Sequence, residues 1–167
     1  VATLGRRTAG SCRINVQSPR FAVSGMKPDI FTSAKTSASL DDVSLKYFIH
    51  EDVKREYLIY IPTSYAHINA APIVLNFHGF GGTASAQLAL SDWRDLAEKH
   101  GIILIYPQGL ELQKGGSHWN PDPVSSDSKS ISDDLGFVRR LLKRISKKYS
   151  IDKSRVYATG YSNGAGM

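Results

Sequence analysis

Two short segments of the sequence carry residues spaced for chemistry on a carbonyl carbon. Gly160-Tyr161-Ser162-Asn163-Gly164 fits the pattern G-x-S-x-G. It follows Arg155-Val-Tyr-Ala-Thr159, a β-branched and aromatic run that reads as a strand. A sharp strand-to-helix turn at such a serine would expose its Oγ at the edge of a sheet. Ser162 is therefore the candidate nucleophile, and the N–H of Asn163 a candidate donor to the oxyanion that would develop. Taken alone, the segment also reads as a plain glycine-rich turn.

The second segment, His78-Gly79-Phe80-Gly81-Gly82, follows the apolar run Pro72-Ile-Val-Leu-Asn-Phe77. Such loops supply another oxyanion donor, and their glycines let the backbone approach a substrate. The expected donors are Phe80 and, second, Gly81. His78 is expected to shape this loop. It precedes the serine, whereas the general base in this arrangement comes last in chain order.

Positioning these segments requires a layered scaffold. Leu45–His50 and Arg55–Ile61 flank a polar link and read as an antiparallel hairpin. Residues 72–78 and 102–106 are continuous apolar runs, the type of strand buried on both faces of a parallel sheet. A helix is expected from a Ser91 cap to His100, ended by Gly101. Another is expected over 132–148, capped by Ser132, with Asp133 and Asp134 at its positive end. Its apolar stripe is Val138, Leu141, Leu142 and Ile145. Residues 107–130 read as one long loop, in which His118 and Trp119 are candidate substrate contacts at the border of a cleft. The order is strand, helix, strand, helix, strand after a hairpin, which gives an α/β fold with a largely parallel sheet.

The chain has 167 residues and a net charge of +6. One cysteine, Cys12, excludes an internal disulfide and a cysteine-rich zinc module. There is no Walker loop, no G-x-G-x-x-G and no zinc-ligand spacing, so no cofactor or metal is expected. No apolar run approaches the ~20 residues of a membrane span. Five basic residues and no acidic one lie between Val1 and Lys27, and Ser and Thr recur through Ser44. Residues 1–44 are therefore expected to be a mobile basic segment. A transit-type leader, a disordered tail and an extension upstream of Met26 are its three readings. No secretory signal pattern is visible in it. Nucleic-acid binding is not expected, because the basic residues from Arg139 to Lys148 read as the solvated side of an amphipathic helix.

Several stretches together resemble the polyhydroxybutyrate depolymerase/feruloyl esterase family, α/β-hydrolases related to the family-1 carbohydrate esterases. They are Arg55-Glu-Tyr-Leu-Ile-Tyr-Ile-Pro62, His78–Gly82, Tyr106-Pro-Gln-Gly109, Asp133-Asp-Leu-Gly-Phe137 and Ser154–Gly164. The resemblance covers about Leu45–Met167. It implies an α/β-hydrolase fold whose mostly parallel sheet begins with an antiparallel hairpin. It also implies a serine esterase working through an acyl-enzyme, and an extracellular location. The implied substrates are feruloyl or acetyl esters on polysaccharides, or polyhydroxyalkanoate-type polyesters. In that family the acid and the base histidine follow the elbow, and none of His50, His67, His78, His100 or His118 stands where the base would. Residues 45–167 are thus expected to be the N-terminal part of a catalytic domain, truncated after the elbow and inactive alone. A serine peptidase of the same fold, or a non-catalytic protein binding anionic polymers, remain the alternatives.

Overall fold

A computed structural model of the protein describes residues 42–65, 70–121 and 130–167. The expected basic segment lies outside these residues, apart from its last three positions. Strand β1 (Val43–His50) begins two residues before the expected Leu45 and pairs antiparallel with β2 (Val53–Tyr60). The link is a two-residue turn in which Glu51 (φ 49°) and Asp52 (φ 60°) are both left-handed. That geometry matches the twist of a hairpin but suits Asn and Gly better than Glu and Asp.

Strand β3 (Ala71–Phe77) is buried along its whole length; its one polar side chain, Asn76, is held by Ser91 and by Gln87 Nε2–H at 2.8 Å. The chain then forms α1 (Ala84–Leu90) and α2 (Arg94–His100) where one helix was expected. Thr83 caps α1 by accepting the Ala86 N–H at 3.1 Å. Ser91 therefore ends a helix and does not start one; its N–H donates to the Gln87 carbonyl at 2.9 Å. The Asp92 carboxylate takes the capping role for α2, accepting the Arg94 N–H at 3.1 Å and gripping the Arg94 side chain. Gly101, at φ 65°, closes α2 as expected.

Strand β4 (Ile103–Pro107) is again fully buried. The long loop contains a small antiparallel ribbon, β5 (Leu110–Glu111) with β6 (Ser117–His118). Residues 122–129 of that loop lie outside the described residues. Helix α3 (Asp134–Lys148) buries Phe137, Leu141 and Ile145, one per turn. Its cap is Asp133, not Ser132: Asp133 Oδ1 accepts the Gly136 N–H at 2.8 Å. A Cβ on Gly136 would lie 1.7 Å from Asp133 Oδ2, so the capping carboxylate needs a glycine three residues on. Asp134 faces inward. It makes a buried ion pair with Arg55 and accepts the Asn120 N–H at 2.7 Å. Arg55 also lies 4.0 Å from the centre of the Phe137 ring.

Strand β7 (Ile151–Gly160) completes a five-stranded sheet of order β1-β2-β4-β3-β7. The pairs β3–β4 and β3–β7 are parallel, and β2 joins β4 antiparallel. The sheet is therefore parallel where the three later strands meet and antiparallel at its hairpin end, as expected. One core lies under α3 and includes Phe48, Ile73, Leu75, Ile105 and Leu141. The other lies under α1 and α2 and includes Tyr60, Val74, Leu88, Ala97 and Leu104. Alternate residues of β3 and β4 serve the two layers, which is why these strands carry no polar face.

Candidate active site

Parallel pairing of β3 with β7 sets Phe77 opposite Gly160. The residues that follow each strand, His78 and Tyr161, therefore emerge at the same carboxyl edge, where open α/β sheets bind ligands. The Tyr161 N–H donates to the Phe77 carbonyl at 3.1 Å, extending the ladder one residue further. The chain then turns abruptly. Ser162 has φ 50°, a left-handed conformation that L-residues with a side chain adopt at a cost of about 1–2 kcal/mol. It is exposed and opens a short 3-10 turn, Ser162–Gly166.

The glycines of the motif have steric reasons. A Cβ on Gly160 would lie 2.4 Å from the Gly164 carbonyl oxygen, and one on Gly164 would lie 2.4 Å from that of His78. The two loops touch: the Cβ position of Gly79 is 3.5 Å from the Ser162 Cβ.

The Asn163 side chain clamps the turn. Its Oδ1 accepts the Trp119 N–H at 2.7 Å and its Nδ2 donates to the Trp119 carbonyl at 3.0 Å. Trp119 in turn donates Nε1–H to the His78 carbonyl at 2.9 Å and packs edge-on against Phe77. One indole thus ties the elbow to the loop after β3. The sequence pattern does not reveal this clamp. Its partners are 44 residues apart, and nothing local marks Asn163 as a side-chain anchor.

The loop after β3 is also internally fixed. His78 Nδ1 lies 2.8 Å from the Gly79 carbonyl, and Nε2 accepts the Gly109 N–H at 2.9 Å. An Nε2 that accepts leaves the ring proton on Nδ1, so this is the neutral imidazole. Burial pushes its pKa below the usual 6.5. With both nitrogens engaged, His78 shapes the loop and is not placed as a base.

His118, Trp119 and the Gly81 N–H, all expected at the site, are engaged within the fold. His118 and Trp119, expected at the border of a cleft, are each only 2% exposed. His118 bonds to Ser130 Oγ at 2.9 Å and to the Leu110 carbonyl at 3.2 Å, so both side chains belong to the scaffold. The Gly81 N–H, expected as a second donor, is engaged by the Ser117 carbonyl at 2.7 Å. Phe80, the first expected donor, lies at the surface of the same loop and is half exposed. A cavity of about 450 Å³ opens beside this loop, lined by Gly81, Gly82, Gln108, Gly109, Gly116 and Ser117 among others.

Among the described residues no hydrogen bond engages the Ser162 hydroxyl, and those of His50, His78 and His118 go elsewhere. The one described grouping that could ligate a metal is His50, Glu51 and Asp133, with one ligand atom from each within 4.8 Å of the others. It sits at the hairpin end, and its Asp133 carboxylate already caps α3. No helix among the described residues is long and apolar enough to cross a membrane.

No protein-family profile matches the chain. Individual proteins do. Feruloyl esterase B of Piromyces equi is 32% identical over 113 residues, which is 68% of this chain and 20% of that protein. Acetylxylan esterase A of Aspergillus oryzae is 32% identical over 109 residues, 65% of this chain and 34% of that protein. The chain thus spans a fifth to a third of the length of these relatives. Among solved structures, a thermostable esterase superposes with a TM-score of 0.59 at 20% identity, covering 75% of this chain and 36% of that one. The acetyl xylan esterase from Aspergillus awamori gives 0.56 at 24% identity, covering 72% of this chain and 43% of that one. By fold the chain is an α/β-hydrolase, and by sequence it is a relative of the feruloyl and acetylxylan esterases.

Proposed function

We propose that this chain carries the nucleophile and part of the oxyanion hole of a serine carboxylic-ester hydrolase that removes feruloyl or acetyl groups from polysaccharides. The observation that carries the reading is Ser162. It is exposed and held left-handed at the carboxyl end of β7, with the Gly79 backbone packed against it. Ser162 Oγ attacks the ester carbonyl, and its proton passes to a general base. The Asn163 and Phe80 N–H groups stabilise the tetrahedral oxyanion, a contribution on the order of 10²–10³ in rate per donor. The alcohol leaves, and water then hydrolyses the acyl-enzyme. The base and its acid partner are proposed to lie outside the described residues, none of whose histidines bonds to Ser162. The polysaccharide class rests on the names of the relatives, and a polymeric wall substrate implies an enzyme that works outside the cell.

A serine without its base is a weak nucleophile, and triad members act as a unit. The 167-residue chain alone is therefore expected to turn over p-nitrophenyl acetate slowly, with a rate unchanged by Ser162→Ala. The protein extended to the length of its relatives is expected to label with a fluorophosphonate at Ser162, to cleave methyl ferulate or acetylated xylan, and to lose about 10⁴-fold or more in kcat on Ser162→Ala. Robust turnover by the short chain that Ser162→Ala abolishes would refute the missing-base reading. Cleavage of peptide amides in preference to esters would refute the esterase assignment.

A further inference from the structure

Three of the cations on helix α3 share one face with a neighbouring element. Arg144, Lys147 and Lys148 stand at i, i+3 and i+4, so they share one face of its last turns. That face meets the β1–β2 hairpin, where Lys46 sits directly across the strands from Tyr57. Between the two elements lies a cleft of about 360 Å³. Lys46, Arg144, Lys147 and Lys148 line it together with Tyr47, Tyr57 and Tyr149, and no carboxylate does. Arg139, Arg140 and Lys143 of the same helix are exposed and lie outside it. Like charges gathered in a concavity repel one another, and ordinary surfaces interleave them with acids. Here none of the four cleft cations is in an ion pair among the described residues.

Two of the four cations lie over aromatic rings. The Arg144 guanidinium is 5.1 Å from the centre of the Phe48 ring and the Lys148 ammonium 5.2 Å from that of Tyr149. Tyr47 is 61% exposed, and the Lys54 ammonium lies 4.8 Å from the centre of its ring. Burial keeps the Tyr57 phenol above its ordinary pKa, so it remains an O–H donor. The cleft sits at the β1 end of the sheet. Two strands, β4 and β3, separate its β2 wall from β7 and the Ser162 turn.

We infer that this cleft is a non-catalytic binding site for an acidic polysaccharide, a chain of sugars bearing hexuronate carboxylates. Carboxylates are the partners that guanidinium and ammonium groups lack here, and bidentate Arg–carboxylate contacts are among the stronger hydrogen bonds. Of the tyrosines that line the cleft, Tyr57 is buried, whereas Tyr47 is exposed and Tyr149 half-buried, and these two offer apolar surface to the C–H faces of pyranose rings. Plant xylans combine both features, a neutral sugar backbone and uronic acid branches. The anion site stands on the geometry alone; its glycan ligand rests on the polysaccharide-esterase reading. The cleft would hold one stretch of polymer while an ester elsewhere on it reaches Ser162.

The test is native affinity electrophoresis of the 167-residue chain in gels containing glucuronoxylan, the same xylan with its carboxyls reduced to alcohols, or polyphosphate. Retardation by glucuronoxylan is expected, with little by the reduced polymer. Arg144→Gln/Lys148→Gln should weaken it on the order of tenfold, and the retardation should fade with added salt. Arg139→Gln/Arg140→Gln, which removes the same charge from the same helix outside the cleft, should change it by less than about twofold. Circular dichroism should show both variants folded. Equal loss in the two variants, no retardation of the wild type, equal retardation by the reduced xylan, or tighter retardation by polyphosphate would each overturn the proposal. Fluorophosphonate labelling of the extended protein is read separately. Failed labelling with retardation intact would remove the esterase reading and leave the glycan site standing, and Ser162→Ala should not alter retardation.

Discussion

His78 shows how one side chain can be committed to shape and lost to catalysis. Its ring is 1% exposed, and its two nitrogens hold the Gly79 carbonyl and the Gly109 amide. Protonating Nε2 would remove the acceptor that the Gly109 N–H uses and place a charge where burial disfavours it. The folded-state pKa is lowered, so the unfolded chain, near 6.5, takes up the proton first. The stability tied to this group is complete above about pH 6.5 and falls as the pH drops toward the folded value. The melting temperature is therefore expected to decline between about pH 7 and pH 5, and His78→Asn should flatten that decline while lowering stability at neutral pH. A thermal melt of both proteins across this range checks it, and an equally steep decline in the variant would contradict it. The elbow and the His78–Gly82 loop were legible in the sequence because each is a local pattern that follows its own strand. The Asn163–Trp119 clamp and the Gly81–Ser117 bond were not, since they exist only once distant segments meet.

At the scale of elements, the hairpin turn is the clearest departure from local preference. Glu51 and Asp52 both occupy left-handed backbone, which Asn and Gly adopt with less strain. Glu51→Asn/Asp52→Gly is expected to raise stability by about 1 kcal/mol, the strain released exceeding the extra chain entropy of glycine. Urea unfolding followed by circular dichroism checks this, and a lowered midpoint would show that Glu51 or Asp52 contributes through contacts. The buried strands and α3 were readable because their apolar spacing is long and unambiguous. Helix α1 was not. Its seven residues, Ala-Ser-Ala-Gln-Leu-Ala-Leu, bury Ala84, Gln87 and Leu88, too short a stripe to stand out beside a glycine-rich loop. The ribbon of β5 and β6 has two residues per strand, below what any periodicity can register.

For the whole molecule, the Arg55–Asp134 pair is a fully buried ion pair between distant segments. It joins the hairpin to α3, and through Asn120 it fixes the loop beside the elbow. Arg55 is 1% exposed and Asp134 fully buried, so removing one partner strands the other's charge. Arg55→Met is expected to destabilise by about 3–5 kcal/mol, a large part of the roughly 5–15 kcal/mol that holds a typical domain together. Arg55→Met/Asp134→Asn should recover part of that loss, because the amide oxygen still accepts the Asn120 N–H without a buried charge. Urea midpoints of the wild type and both variants decide it. A double variant less stable than the single would mean that the stranded Asp134 charge is not what weakens Arg55→Met. The sequence showed both charges but assigned Asp134 to helix capping. Only the sheet order, which puts β2 under α3, reveals its partner.

The left-handed backbone at Ser162 has a consequence for how such a sequence ages. Folding alone favours glycine at this position, because glycine meets no steric penalty there and serine does. On the esterase reading proposed above, a duplicated gene released from selection for that activity would therefore find Ser162→Gly an accessible change, one that strengthens the fold while silencing the chemistry. Among descendants of this chain, the residue at 162 would serve as a marker of which copies are still at work and which persist only as stable shells.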